Sequence, residues 1–154
     1  MKFIIQNSKQ KDNVTHMDII FNKLGPLMEE LEWFGSDMDF NYWPDERLGH
    51  ETFWMNGKEL KKIAETHDLQ FIWGVFSGFK KGTLLSDLPL LNLKYGVPWA
   101  DGNQEIWKSG YQKQIELAII EIICFDGTET IFTTDDEILI QLIKTQFSDV
   151  VCDE

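Results

Sequence analysis

The chain is 154 residues long and sets 26 Asp plus Glu against 14 Lys plus Arg, a formal charge of -12, on a sequence with six Trp and eleven Phe. A disordered acidic chain would be poor in aromatics, so the composition describes a folded domain that tolerates self-repulsion and is suited to a basic partner. The same balance argues against nucleic acid, because the few cations would have to form one stripe and the pairs Lys61-Lys62 and Lys80-Lys81 are short and separated.

With 43% apolar residues and no long Pro, Ser or Gly tract, residues 1–154 read as one domain with an ordinary core. Cys124 and Cys152 lack CxxC spacing, which argues against a disulfide framework and a zinc site. The apolar run at Phe3-Ile4-Ile5 is too short for a signal peptide and nothing later has the length of a membrane span. The expectation is a cytoplasmic protein without membrane contact and without a cofactor.

Lys2 to Gln6 reads as a first strand. From Thr15 the residues Met17, Ile20, Phe21, Leu24, Leu27, Met28 and Leu31 recur at helical spacing, interrupted at Gly25-Pro26. Glu32 to Phe40 reads as a strand, and Asn41 to Gly57, with Pro44 and Gly49, as a turn-rich stretch. Asn56 is placed to cap a helix over Lys58 to Thr66, with Leu60, Ile63 and Ala64 inward. Leu69 to Phe79 is a strand apolar on both faces, which puts it inside a sheet. Pro89 and Pro98 exclude a long helix or central strand from Lys80 to Gln114, leaving an irregular excursion with room for one edge strand.

Leu117 to Phe125 is a buried strand, Asp126-Gly127 a hairpin turn and Glu129 to Phe132 the return. Thr134 to Glu137 fits a capping box opening a last helix to about Phe147, with Ile138, Leu139, Leu142, Ile143 and Phe147 inward. This order predicts an α+β fold, a mixed or antiparallel central sheet packed with about three helices.

Catalytic chemistry has little support. His16, His50 and His67 stand alone, without a second ligand at metal-binding spacing. Asp101 to Glu105 alternates oxygens, but Ile106 and Gln112 stand where a calcium loop needs Gly and Glu. Cys124 lies in an Ile-rich strand where burial silences it. Glu121 shares a strand face with Leu117, Ile119, Ile123 and Phe125, so the sequence demands a partner for it, such as Trp73, a Lys or Arg47. The alternative reading is a small-molecule-binding or enzymatic domain with Glu121, His50 and Trp side chains lining a pocket.

Recognition is the stronger signal. Asp37 and Asp39, two apart on a strand, are expected on one side, and the segment continues with Tyr42, Trp43, Asp45, Glu46, Glu51 and Trp54. A second cluster holds Trp99, Asp101, Glu105 and Trp107, and Glu29, Glu30 and Glu32 form a third, weaker candidate. Acids speed encounter with a basic partner, and aromatic anchors supply the binding energy.

The strand Ile119-Ile120-Glu121-Ile122-Ile123-Cys124-Phe125-Asp126, its hairpin return and the acidic-capped helix Asp135 to Phe147 resemble the immunity proteins of bacterial contact-dependent and polymorphic toxin systems. Trp73-Gly74-Val75-Phe76-Ser77 and Ala100-Asp101-Gly102-Asn103 share that look, and the resemblance covers the second half of the chain. Such proteins are united by role, so the resemblance transfers no residue. It implies a non-enzymatic inhibitor whose partner is a cognate basic toxin domain, most often a nuclease.

Overall fold

The computed structural model describes residues 1–10, 13–43, 45–49 and 51–153. Pro44 and His50 lie outside the described residues. Strands β1 (Lys2–Gln6), β2 (Glu32–Phe40), β3 (Thr52–Asn56), β4 (Phe71–Phe79), β5 (Ile120–Phe125), β6 (Glu129–Thr134) and β7 (Val151–Asp153) form one seven-stranded sheet in the order β3-β2-β4-β5-β6-β1-β7. Every pairing is antiparallel. The fold is α+β, with four α-helices among the described residues: α1 (Met17–Leu24), α2 (Leu27–Glu30), α3 (Gly57–His67) and α4 (Glu137–Gln146).

Local chemistry accounts for most boundaries. The helix begun at Met17 stops where Gly25 takes a φ of 78°, and Pro26 then opens the single turn α2, so the interrupted periodicity resolves into two abutting helices. Asn56 caps α3 by accepting from the Glu59 amide at 2.9 Å. The β5–β6 hairpin turns through Asp126 and Gly127, both at positive φ, as a tight right-twisted connection requires.

Five expectations change. The stretch Asn41 to Gly57 holds a strand, β3, pairing Thr52 through Asn56 with β2. A short β7 pairs with β1. Residues 80–119 contain no edge strand among the described residues, only short 3-10 turns at Leu85–Asp87, Leu90–Asn92 and Gln104–Trp107. The strand expected from Leu117 starts at Ile120, because the chain is still turning at Ala118, whose amide bonds the Ile115 carbonyl, and Leu117 is exposed.

The N-cap of α4 is Asp136, not Thr134. The Asp136 carboxylate accepts from the Ile138 and Leu139 amides, both at 3.0 Å, while the Thr134 hydroxyl donates to the Ile119 carbonyl at 2.7 Å. That shift turns Ile138 outward, 65% exposed, and leaves Leu139, Ile140 and Ile143 facing the sheet.

The helices occupy one face of the sheet. Met17, Ile20, Phe21, Leu24, Leu60, Ile63, Leu139 and Ile143 pack there against Phe3, Trp33, Phe76, Ile122 and Phe132. Segment 80–119 covers the other face as a strap, in two apolar patches: Leu88, Ile115 and Ala118 on Phe34 and Phe79, and Ala100 and Ile106 on Val75, Ile123 and Ile131.

Gly57 is a fixed contact between α3 and the turn before β2: its amide bonds the Leu31 carbonyl at 2.8 Å, and a Cβ would lie 2.2 Å from the Met28 carbonyl oxygen. Gly57→Ala is expected to cost about 2 kcal/mol through backbone displacement, against about 1 kcal/mol for loss of the α4 cap in Asp136→Ala. Urea denaturation of the two variants checks the order.

Candidate functional site

The candidate site is built where the strap meets β2. Pairing of β2 with β4 slips between Ser36 and Asp39, and Asp37 sits in this bulge at a φ of 51°, a conformation that Asp tolerates better than most residues. Asp37 and Asp39 share the strap side of β2, since Met38 and Phe40 pack into the helix-side core and Asp39 is in register with Trp73 of a strap-side patch, but they meet different surroundings. Asp39 is exposed in register with Trp73, whereas one oxygen of Asp37 accepts from the Ala100 amide at 2.6 Å and the Asp101 amide at 2.8 Å. Ser36 adds a hydroxyl bond to the Pro98 carbonyl at 2.7 Å.

This junction brings halves of the two expected clusters together. Asp37 and Glu51 from the first, and Trp99 and Asp101 from the second, line one open groove of about 560 Å³ together with Tyr95 and Val97. Among the described residues that line the groove, none is a cation. Tyr95 and Trp99 meet edge to face, 4.9 Å between centroids, and the Lys94 ammonium lies 5.1 Å from the Tyr95 ring and 5.3 Å from the Trp99 ring. The paired rings therefore already hold a cation of the chain itself. Trp99 also walls a second hollow of about 550 Å³, shared with Lys94, Glu105, Tyr111 and Gln114. On the strap Leu84, Leu85 and Leu91 are exposed.

The other expected residues are dispersed. Trp43, Asp45 and Glu46 border a small hollow of about 150 Å³. The hydrogen bonds of Arg47 hold the Asp45 carboxyl down at about 2, so that acid is already paired. Tyr42 is exposed, but its hydroxyl donates to the His67 carbonyl at the end of α3. Trp54 packs on Phe79, 5.7 Å between centroids, and Trp107 on Phe125 at 4.8 Å, so both are half-buried wall rather than free anchors. Glu105 pairs with Lys108 at 2.6 Å. Of the third cluster, Glu29 lies 3.6 Å from Lys61, and Glu29, Glu30 and Glu32 share a hollow with Lys58 and Lys81. Trp33 is the one tryptophan fully buried.

Glu121 is fully buried on the strap side of β5. Its partners are neither Trp73 nor Arg47: the Tyr111 hydroxyl donates to one oxygen at 2.7 Å and the Gln114 amide to the other at 2.8 Å. Burial pushes the carboxyl up to about 7, against the pull of these two bonds and of Lys113. The same burial, with Glu121 beside it, pushes the Tyr111 phenol up. Tyr111 and Gln114 line the second hollow, and Glu121 does not. Cys124 is likewise buried, its thiol pushed up to about 12.

The sequence offered no signal for Tyr111 and Gln114 as partners of Glu121. Tyr95 had one: an aromatic between an apolar run and a Gly-Val-Pro turn.

Comparison with protein-family models, with curated proteins and with solved structures yields no match. Among the described residues no helix is long and apolar enough to cross a membrane.

Two predictions follow from these anchors. Asp37→Ala removes the acceptor of two strap amides and is expected to cost about 2 kcal/mol, with a smaller loss for Asp37→Asn, which keeps an acceptor and tolerates positive φ; chemical denaturation reads both. Between an ordinary carboxyl value of 4.5 and its own of about 7, Glu121 holds its proton in the folded chain and releases it in the unfolded one, so its contribution to stability is complete below that window and is lost as pH rises through it. Denaturation at pH 4 and pH 8 should therefore show Glu121→Gln gaining about 3 kcal/mol on the parent at the higher pH. A pH-independent difference would contradict a buried, ionisable Glu121.

Proposed function

We propose that this protein is a non-enzymatic inhibitor, an immunity protein that binds a cognate basic toxin domain in the cytoplasm of the producing cell and keeps it from its substrate. A single observation carries the reading: the fold gathers acids and rings from two distant segments, Asp37 and Glu51 with Tyr95, Trp99 and Asp101, into one open groove with no cation among the described residues that line it. Carboxylates around an apolar floor complement a surface that itself binds phosphates, so a nuclease domain is the partner class that this chemistry suits best. The excess of negative charge over the whole chain favours rapid capture, which an inhibitor of a lethal enzyme needs.

The strap adds apolar contact. Leu91 is 99% exposed and Leu84 61%, and such side chains on an outer loop supply contact area in a complex. A long segment without helix or strand is also the kind of structure that varies to fit a partner while the sheet beneath stays fixed.

The test is co-expression with the product of the adjoining gene. A large secreted polypeptide whose terminal domain kills the host, and is silenced by this protein, is the expected outcome; a neighbour without toxicity, or toxicity left unchanged, overturns the reading. In the purified complex Glu51→Arg with Asp101→Arg should weaken binding at least roughly 100-fold, with Asp37 left intact because it fastens the strap. Association followed by stopped flow should slow roughly tenfold between 50 and 500 mM salt.

A further inference from the structure

Glu121 lies at the centre of a polar row that crosses the strap face of the sheet. In register beside it are Ser77 on β4 and Thr133 on β6, and beyond Thr133 comes Lys2 on β1. The Ser77 and Thr133 hydroxyls are buried and have no hydrogen-bond partner among the described residues. Lys2 is engaged elsewhere, bonded to the strap carbonyls of Ile106 at 3.3 Å and Lys108 at 2.7 Å and to Asp153 at 2.8 Å. From the strap, Tyr111 and Gln114 face Glu121 directly, and Lys113 acts on it from further off while paired with Asp135. The carboxyl therefore has two donors from the strap, no cation in contact, and neighbours that leave it only partly served.

The bonds continue from Glu121 into the groove. Gln114, whose backbone amide is held by Glu121, uses its side chain to grip both backbone groups of Trp99: its Oε1 accepts from the Trp99 amide at 3.0 Å and its Nε2 donates to the Trp99 carbonyl at 2.9 Å. Asn103 donates to that same carbonyl at 3.0 Å. A short covalent and hydrogen-bonded path thus joins a buried acid to the aromatic wall of the groove.

We infer that Glu121 is a positioning residue whose proton locks the strap: uptake of a proton favours the closed strap that holds Trp99 in the groove wall, and release of the proton favours its opening. Closing the strap buries the carboxyl and opening hydrates it, so the closed form binds the proton more tightly and closure strengthens as pH falls. The raised value of the buried carboxyl sets the range near neutrality. The biological meaning of the lock rests on the reading of the groove as a docking surface; its physical content does not.

Amide hydrogen exchange on the free protein tests it, with protection corrected for the intrinsic pH dependence of exchange. Protection at the Gln114 and Trp99 amides should fall together by roughly thirtyfold between pH 5.5 and 8.5, from a level below that of Ala64 in α3 and with a weaker dependence on urea, as an opening smaller than global unfolding requires. Glu121→Gln should abolish the dependence. Gln114→Ala should strip protection from Trp99 at every pH but leave that of residue 114 still falling. Flat protection in the parent, persistence of the fall in Glu121→Gln, or protection at Gln114 and Trp99 equal to that of Ala64 in both level and urea dependence, which would make Glu121 a determinant of global stability only, overturns the inference. Because no partner enters the measurement, failure here leaves the inhibitor reading standing, and a lock that works in a protein with no toxin to bind removes that reading alone.

Discussion

Four helices cover only one face of the sheet, and the opposite face is closed by a strap whose peptide groups bond one another only in short turns. A buried peptide group must find a bond or lose several kcal/mol of hydration. The sheet supplies those bonds from side chains: Ser36 and Asp37 from β2, Glu121 from β5, Thr134 from β6 and Lys2 from β1. The groove, the second hollow beside Trp99 and the burial of Glu121 all depend on this fastening, since without it the strap would be a solvated loop.

The fastening also sorts the acids. Asp37 spends one oxygen on the strap amides, Asp45 is neutralised by Arg47, and Glu105 by Lys108. Glu51 and Asp101 remain exposed at the groove, as does Asp39 on β2. Surface charge counted along the sequence thus overstates what is available to a partner, and the proposed inhibitory surface rests on fewer acids, better grouped, than the two clusters suggest.

Much of the scaffold was legible because its signals are local. The Gly25-Pro26 interruption, the Asn56 cap, the Asp126-Gly127 turn and the apolar run of β5 each carry their cause within a few residues. What stayed hidden is settled by distant contacts. Trp54 masks the alternation of Phe53 and Met55 in β3, and the three residues of β7 are a strand only because β1 lies beside them. The α4 cap falls two residues later than its pattern suggests because the Thr134 hydroxyl is claimed by Ile119. The site was legible in kind and not in arrangement: acid and aromatic clusters are visible in the chain, but nothing near Asp37 announces Ala100 as its partner, and nothing near Glu121 announces Tyr111.

Trp99 stands between two hollows of nearly equal size, one ringed by carboxylates and the other reaching Tyr111 and Gln114. A partition shared in this way makes its neighbours interdependent: filling either chamber presses on a ring that also bounds the other. Energies of contacts made on opposite sides of that indole are then properties of the pair, and no single ledger of residues will divide them.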